Sequence, residues 1–333
     1  MTTNTAILIV VLLSAAVLMW PRIAKARLWR ATITPLASII GSGFLVLGPI
    51  LDFSYGLYAP LVMAALCAGA YFFGAAIRHN IAVLDSHAPR GTLATRIEAL
   101  ASWTLAFAYI ISVAYYLNLF GAFGVSLTPM NDNLHGKLLT SAAFFLILAV
   151  GWTHGFSALE RMEQISVSIK LVIIAGLLFG LGLYFVEKTG EGALVLNPPA
   201  LSGWAAITVA FGLIVTVQGF ETSRYLGAKY DAATRIRSMR LAQGVSAAIY
   251  MIYIALLAYD FTPGVLHHNE TAIIGMTEIV APILPALLVM AALAAQFSAA
   301  VADTSGSGGL IAELTHGRLN ERQAYGILVA AGL

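Results

Sequence analysis

Ile39-Ile40-Gly41-Ser42-Gly43-Phe44 decides how this chain is read. The six residues lie inside an apolar run from 33 to 51, long enough to cross a bilayer as a helix. A helix in hydrocarbon must satisfy its own backbone hydrogen bonds. Two glycines and a serine at mid-depth weaken it there, and Pro49 adds a second weak point. Backbone released at that depth is tolerated only inside protein or along a cavity. An interrupted helix with free N–H groups near the midplane is how many secondary transporters hold a substrate.

Of the 333 residues, 59% are apolar and 10% charged, with a mean hydropathy of +0.86, which excludes an ordinary soluble domain. Apolar runs recur near 5–20, 33–51, 57–77, 99–126, 138–153, 164–186, 204–223, 241–261 and 280–312, and another begins at Tyr325. The expected class is an all-α polytopic membrane protein. Residues 1–30 read as an extra N-terminal helix with a basic loop, and residues 31–333 as the core. The run containing Gly41 is span 1, and the extra helix is span 0. Cys67 is the one cysteine, which rules out an internal disulfide.

A cleaved signal peptide carries positive charge ahead of its apolar segment. Here Arg22, Lys25, Arg27 and Arg30 come after it, so span 0 reads as an uncleaved helix despite the small residues of Ala24-Lys25-Ala26. Basic residues then alternate between loops. Arg78, Arg90 and Arg96, then Arg161, then Arg224, Lys229, Arg235, Arg237 and Arg240, then Arg318 and Arg322 share one side with the first cluster. The other side holds only Lys137 and Lys188. The positive-inside rule puts the N-terminus outside and starts span 1 from the cytoplasm, in a plasma (inner) membrane.

Span 6, from about Trp204 to Arg224, carries a second mid-membrane irregularity at Gly212, Thr216, Gln218 and Gly219. Spans 1 and 6 then stand first in two halves of opposite orientation, the inverted-repeat plan of many transporters. Three motifs resemble the amino acid–polyamine–organocation (APC) superfamily with its LeuT-type fold. Ile39 to Phe44 is similar to the Gly-Ser-Gly signature of span 1. Gln218-Gly219-Phe220-Glu221, with Lys229-Tyr230-Asp231 and the Arg235–Arg240 cluster, resembles span 6 and its cytoplasmic exit. His154-Gly155-Phe156, then Gln164 and Ile169-Lys170-Leu171, resembles the start of span 5 with a mid-helix lysine. The family plan has ten core helices. This sequence supplies eight and the beginning of a ninth, so the second repeat is expected to be incomplete.

Depths follow from a rise of ~1.5 Å per helical residue. Gly41–Gly43 lie roughly 15–18 Å from the cytoplasmic start of span 1, Lys170 roughly 14 Å from Arg161, Asp303 roughly 15 Å from Glu313, and Gln218 roughly 9 Å before Arg224. Four features on four helices thus converge near the midplane. Gly41, Ser42 and Gly43 offer N–H groups and a half-helix N-terminus to a carboxylate; the alternative is close helix packing. Ile40, Thr216, Gln218, Gly219 and Phe220 frame the rest of the expected substrate site. Lys170 is too deep to snorkel to the interface and needs a partner. The resemblance places it where sodium-coupled relatives hold an ion, and gives Glu221 a coupling or gating role. Asp303 is expected to pair with Lys170 or to face the same cavity, the alternative being a structural acid at a polar helix end. Phe211, Phe220, Tyr109, Tyr115 and Tyr116 are weaker candidates for the pocket wall.

The expected function is secondary active transport of a small organic solute, an amino acid or similar zwitterion, by alternating access with protons or by exchange. One alternative is a sodium- or metal-coupled carrier using Asp303, Thr304 and Ser305; another is a non-transporting membrane scaffold or sensor. No nucleotide-binding loop, nucleophile–base arrangement or nucleic-acid surface is visible, so neither an enzyme nor a cofactor is expected. His79, His87, His154, His267, His268 and His316 fall in loops or at span ends and suggest no metal site.

Overall fold

The computed structural model describes residues 2–41, 43–85, 91–126, 128–227, 229–261 and 272–333, apart from the side chains of Phe156, Ala272 and Ile274. Ser42, His87, Arg90, His267 and His268 lie outside the described residues. Among the described residues every regular element is helical: α1 Thr3–Met19, α2 Pro21–Ala24, α3 Arg27–Ile39, α4 Gly43–Tyr55, α5 Ala59–Asp85, α6 Thr92–Ser126, α7 Asn133–His154, α8 Phe156–Gly190, α9 Gly203–Leu213, α10 Ala232–Leu257, α11 Ala272–Val280, α12 Leu284–Leu314 and α13 Glu321–Gly332, with short 3-10 segments between some of them. Among the described residues seven helical stretches are long and apolar enough to cross a membrane. The chain is an all-α polytopic membrane protein.

Span 1 is α3 and α4 with a break between them, and span 6 is α9 followed by the 3-10 segments Ile214–Val217 and Phe220–Leu226. The expected run at 280–312 resolves into α12 with a separate α11 before it. Arg78, placed in a loop by hydropathy, is instead helical and buried. Span 2 continues to Asp85 as α5, and the Arg78 guanidinium donates to Gln243 Oε1 of α10 at 2.5 Å.

α12 is the axis of the fold. It packs along α6 and α8 and against α3 and α13, and is buried for most of its length. Span 0 joins this frame through α8. Ile7 of α1 is fully buried against Gly180, and a Cβ at Gly176 would stand 2.5 Å from Val11 Cγ2. Gln164 Nε2 of α8 also donates to Ala24 O in the following loop at 2.9 Å.

At the opposite end from the arginine loops, the segment 193–201 straps the helix ends. Asn197 Nδ2 donates toward both Asp52 carboxylate oxygens, at 3.1 and 3.2 Å, and to Phe261 O at 2.9 Å. Gly56 takes φ +51, and a Cβ there would sit 2.1 Å from Asn197 O. Asp260 is buried beside this strap with neither carboxylate oxygen paired. Burial pushes its carboxyl up to about 7, against the downward pull of the Lys188 ammonium.

Gly176→Leu is expected to push α1 off α8 and lower the melting temperature of the detergent-solubilised protein, overpacking costing about 1–3 kcal/mol. Gly182→Leu, where a side chain meets open space, is the control and should leave it unchanged. For Asp260 the folded value lies above the ordinary 3.8, so the folded state binds the proton more tightly and this group's contribution falls as pH rises from about 4 to about 7. Asp260→Asn is therefore expected to raise the melting temperature at about pH 8 and to leave it unchanged at about pH 4; thermal unfolding at the two pH values checks this.

Candidate functional site

α3 ends where its backbone leaves the helical region at Ile40, at φ −88 and ψ 64. The last carbonyls of α3 lose their helical donors there, and α8 supplies a replacement. Lys170 Nζ, fully buried, donates to Ala37 O at 3.0 Å, Ile40 O at 2.6 Å and Ser298 Oγ at 2.9 Å. An ammonium has three hydrogens, and three acceptors are in place. Glu163, two turns earlier on α8, is the acid that acts on Lys170 through space, and its Oε2 accepts from Thr34 Oγ1 at 3.2 Å.

The break in span 6 faces this one. α9 gives way to the 3-10 turn Ile214–Val217, Gln218 is extended, and Gly219 takes φ +109. A Cβ on Gly219 would lie 2.5 Å from Ser38 Oγ and 2.8 Å from Ile39 N, so the two breaks touch where only glycine fits. A Cβ at Gly43 would likewise lie 2.9 Å from Thr216 Cβ. Tyr250 of α10 bridges the breaks, its hydroxyl shared between Ile39 O at 3.0 Å and Thr216 O at 2.9 Å. Glu221 Oε2 accepts from the Gly219 N–H at 2.9 Å, and Thr222 Oγ1 donates to Gly219 O at 2.8 Å.

Between the breaks and α6 lies a cavity of about 430 Å³, lined by Ser38, Ile39, Gly41, Gly43, Ala108, Ile111, Ser112, Tyr115, Tyr116, Val215 and Thr216. Among the described residues no charged side chain lines it. Asp303 of α12 stands behind the wall, with Ser38 Oγ donating to one carboxylate oxygen at 2.8 Å and Ser112 Oγ to the other at 2.5 Å. Two helices are thus broken at one depth, with a cation set into one break and a cavity across both, the arrangement through which many transporters bind a solute.

A family described as APC superfamily transporter matches residues 21–333. The chain belongs to the APC superfamily of transporters. An uncharacterized protein of Aquifex aeolicus (strain VF5) is 38% identical over 325 residues, covering 94% of this chain and 78% of that protein.

In this APC chain, Gly41, Gly43 and Thr216 line the cavity. Ile40, Gln218, Gly219 and Phe220, also expected to touch substrate, do not: Ile40 spends its carbonyl on Lys170, Gly219 forms the contact between the breaks, and Phe220 is core. Asp303 and Lys170 do not bond each other. The ammonium is saturated by carbonyls and Ser298, and the carboxylate by two serines, so the expected direct pair is replaced by two separate sets of partners around one break. Arg224, three residues after Glu221, pairs with Glu98 and, at 3.6 Å, with Glu313. Of the aromatic candidates, Tyr115 and Tyr116 line the cavity and Phe211 is exposed. Ser38, Ser112, Tyr250 and Ser298 were not legible as site residues. Isolated hydroxyls on apolar helices carry no pattern, and only Ser38, three residues before Gly41, lies close to a motif.

Gly219→Ala is expected to lower the melting temperature, because it adds left-handed strain of about 1–3 kcal/mol and a collision with Ser38. Gly212→Ala in α9, with open space around it, should be neutral or slightly stabilising. Thermal unfolding of the pair checks this, and an unaltered Gly219→Ala protein would show that the breaks do not touch.

Proposed function

We propose that this APC transporter carries an amino acid or similar small zwitterion by alternating access, coupled to protons or running as an exchanger. The observation that carries this reading is the Lys170 ammonium lodged on Ala37 O, Ile40 O and Ser298 Oγ. It supplies, within the protein, the positive charge that a sodium-coupled carrier takes from solution. Lys170, Glu221 and Asp303 are the proposed coupling residues of this core, with Glu163 buried beside Lys170. Gly43 opens α4, whose first N–H groups and dipole favour the solute carboxylate.

Alternating access then rocks α3/α4, α5, span 6 and α10 against α6, α7, α8 and α12. The cytoplasmic latch in this reading is Glu160 of α8. It is buried, accepts from Arg30 at 2.9 Å and Tyr230 at 2.7 Å, and pairs with Lys229. Arg30, Lys229 and Tyr230 ride on the moving side and Glu160 on the static side, so opening inward breaks these contacts. The excess of Lys and Arg in the loops on this side supports a cytoplasmic latch in a plasma (inner) membrane, with the N-terminus outside.

Uptake of labelled amino acids into proteoliposomes tests the reading. Transport is expected to follow an imposed pH gradient or internal amino acid, and to persist when choline replaces sodium. Lys170→Ala leaves three oxygens without their donor. Sodium is expected to raise the melting temperature of that variant but not of the wild type. Sodium stabilisation of the wild type, or sodium-dependent uptake, would overturn the proposal.

A further inference from the structure

The cavity wall on the α12 side has a definite hydrogen-bond polarity. Ser38 and Ser112 both line the cavity, and both point their hydroxyl hydrogens away from it, toward Asp303. Thr216 Oγ1, the third hydroxyl on the wall outside the tyrosines among the described residues, donates to Leu213 O at 2.6 Å. A hydroxyl has one hydrogen and two lone pairs. With the hydrogens committed to the protein, the wall presents oxygen lone pairs, and a carboxylate lies directly behind two of them. Such a surface accepts hydrogen bonds and attracts positive charge. Lys170 does not neutralise it, because its three hydrogens serve Ala37, Ile40 and Ser298.

A second feature makes this wall switchable. Ser112 Oγ has another acceptor in reach, Tyr109 O at 3.2 Å. When Asp303 is ionised, Ser112 donates to it and leaves its lone pairs to the cavity. When Asp303 takes a proton from water in the cavity, its new O–H donates to Ser112 Oγ and the Ser112 hydrogen turns to Tyr109 O. That step uses up an acceptor facing the cavity and removes the charge behind it.

We propose that Ser38 and Ser112, backed by Asp303, form a subsite for a solute's primary ammonium group, and that the ammonium and a proton on Asp303 exclude one another. The proposal rests on the reading of this cavity as the solute site, and names the end of the solute it holds and the coupling logic. A solute ammonium arriving from one side displaces a proton from Asp303, and a proton arriving from the other side releases the ammonium.

The other ionisable groups around Asp303 are Glu221 from span 6, Tyr109 and Tyr116 from α6, and Glu163 and Lys170 from α8. Tyr325 of α13 packs against Gly308, one turn further along α12. The acidic and basic side chains of α3, Arg27 and Arg30, are engaged at its cytoplasmic end by Asp231 and Glu160, and Glu278 of α11 is exposed. Among the described residues Lys170 is the single cation facing this region, and it is saturated.

Matched probe sets test the proposal on the purified full chain: leucine, 3-methylbutylamine and 4-methylpentanoate, and alanine, ethylamine and propionate. Apparent affinities are read from ligand-induced thermal shifts at about pH 8 and about pH 6. The amines and amino acids are expected to stabilise the wild type, with affinity weakening as pH falls, toward about tenfold per unit once Asp303 is mostly protonated. Asp303→Asn is expected to weaken the amines by at least about tenfold and to remove that pH dependence, while sparing the carboxylate-only probes. Ser112→Ala, a smaller change that carries the test if Asp303→Asn does not fold, should weaken the amines in the same way. Amine affinities within about twofold of wild type in both variants, or independent of pH in the wild type, would overturn the ammonium subsite. Carboxylate-only probes that bind while amines do not would overturn it and leave the cavity as a solute site. No shift with any probe, from folded protein, would overturn both.

Discussion

Everything at the centre of this protein depends on the Lys170 ammonium resting on the open end of α3. A helix interrupted in hydrocarbon exposes carbonyls that water cannot reach, and each unpaired group costs several kcal/mol. Lys170 pairs two of them and draws Ser298 into the same cluster, so the break is a stable feature and not a local unfolding. The cost of burying the lysine is offset by the same contacts, since each of its hydrogens meets an oxygen. A cation that satisfies a break is itself satisfied by it.

The second break is held by the first. Gly219 fits against Ser38 and Ile39 because it lacks a Cβ, Gly43 fits against Thr216 for the same reason, and Tyr250 reaches a carbonyl in each. The contacts make the two broken helices a single unit, with the cavity on its α6 side. A transporter of this class needs such a unit: the site must stay intact while the elements carrying it turn. In the proposed alternating-access cycle, the ion pairs that join the two parts lie instead at the helix ends, around Glu160 and Arg224.

The Lys170 ammonium and the Asp303 carboxylate do not pair in the core. Lys170 faces α3 from one side and Asp303 from the other, each with its own neutral partners. A direct ion pair would bury both charges in one contact and leave neither responsive to a solute. Separate sets let Asp303 act on the cavity through Ser38 and Ser112 while Lys170 holds the backbone.

The sequence by itself determined the class, the order of the spans and the position of both breaks. The bilayer is a uniform solvent that imposes a length and a hydropathy on every span, and glycine at mid-depth is a local signal that needs no partner to be read. It also exposed Lys170 and Asp303, since a charge in an apolar run is conspicuous. It erred where helices outrun their apolar stretch, as at Arg78, because a buried arginine looks like a loop residue until Gln243 is placed beside it. Only the tertiary structure decided the partners. Asp303 meets serines 265 and 191 residues away, and Lys170 meets a carbonyl 133 residues away. A serine or tyrosine in a membrane helix is locally unremarkable, and a backbone carbonyl leaves no trace in sequence. Which hydroxyl turns its hydrogen to which acid is settled by helix packing alone.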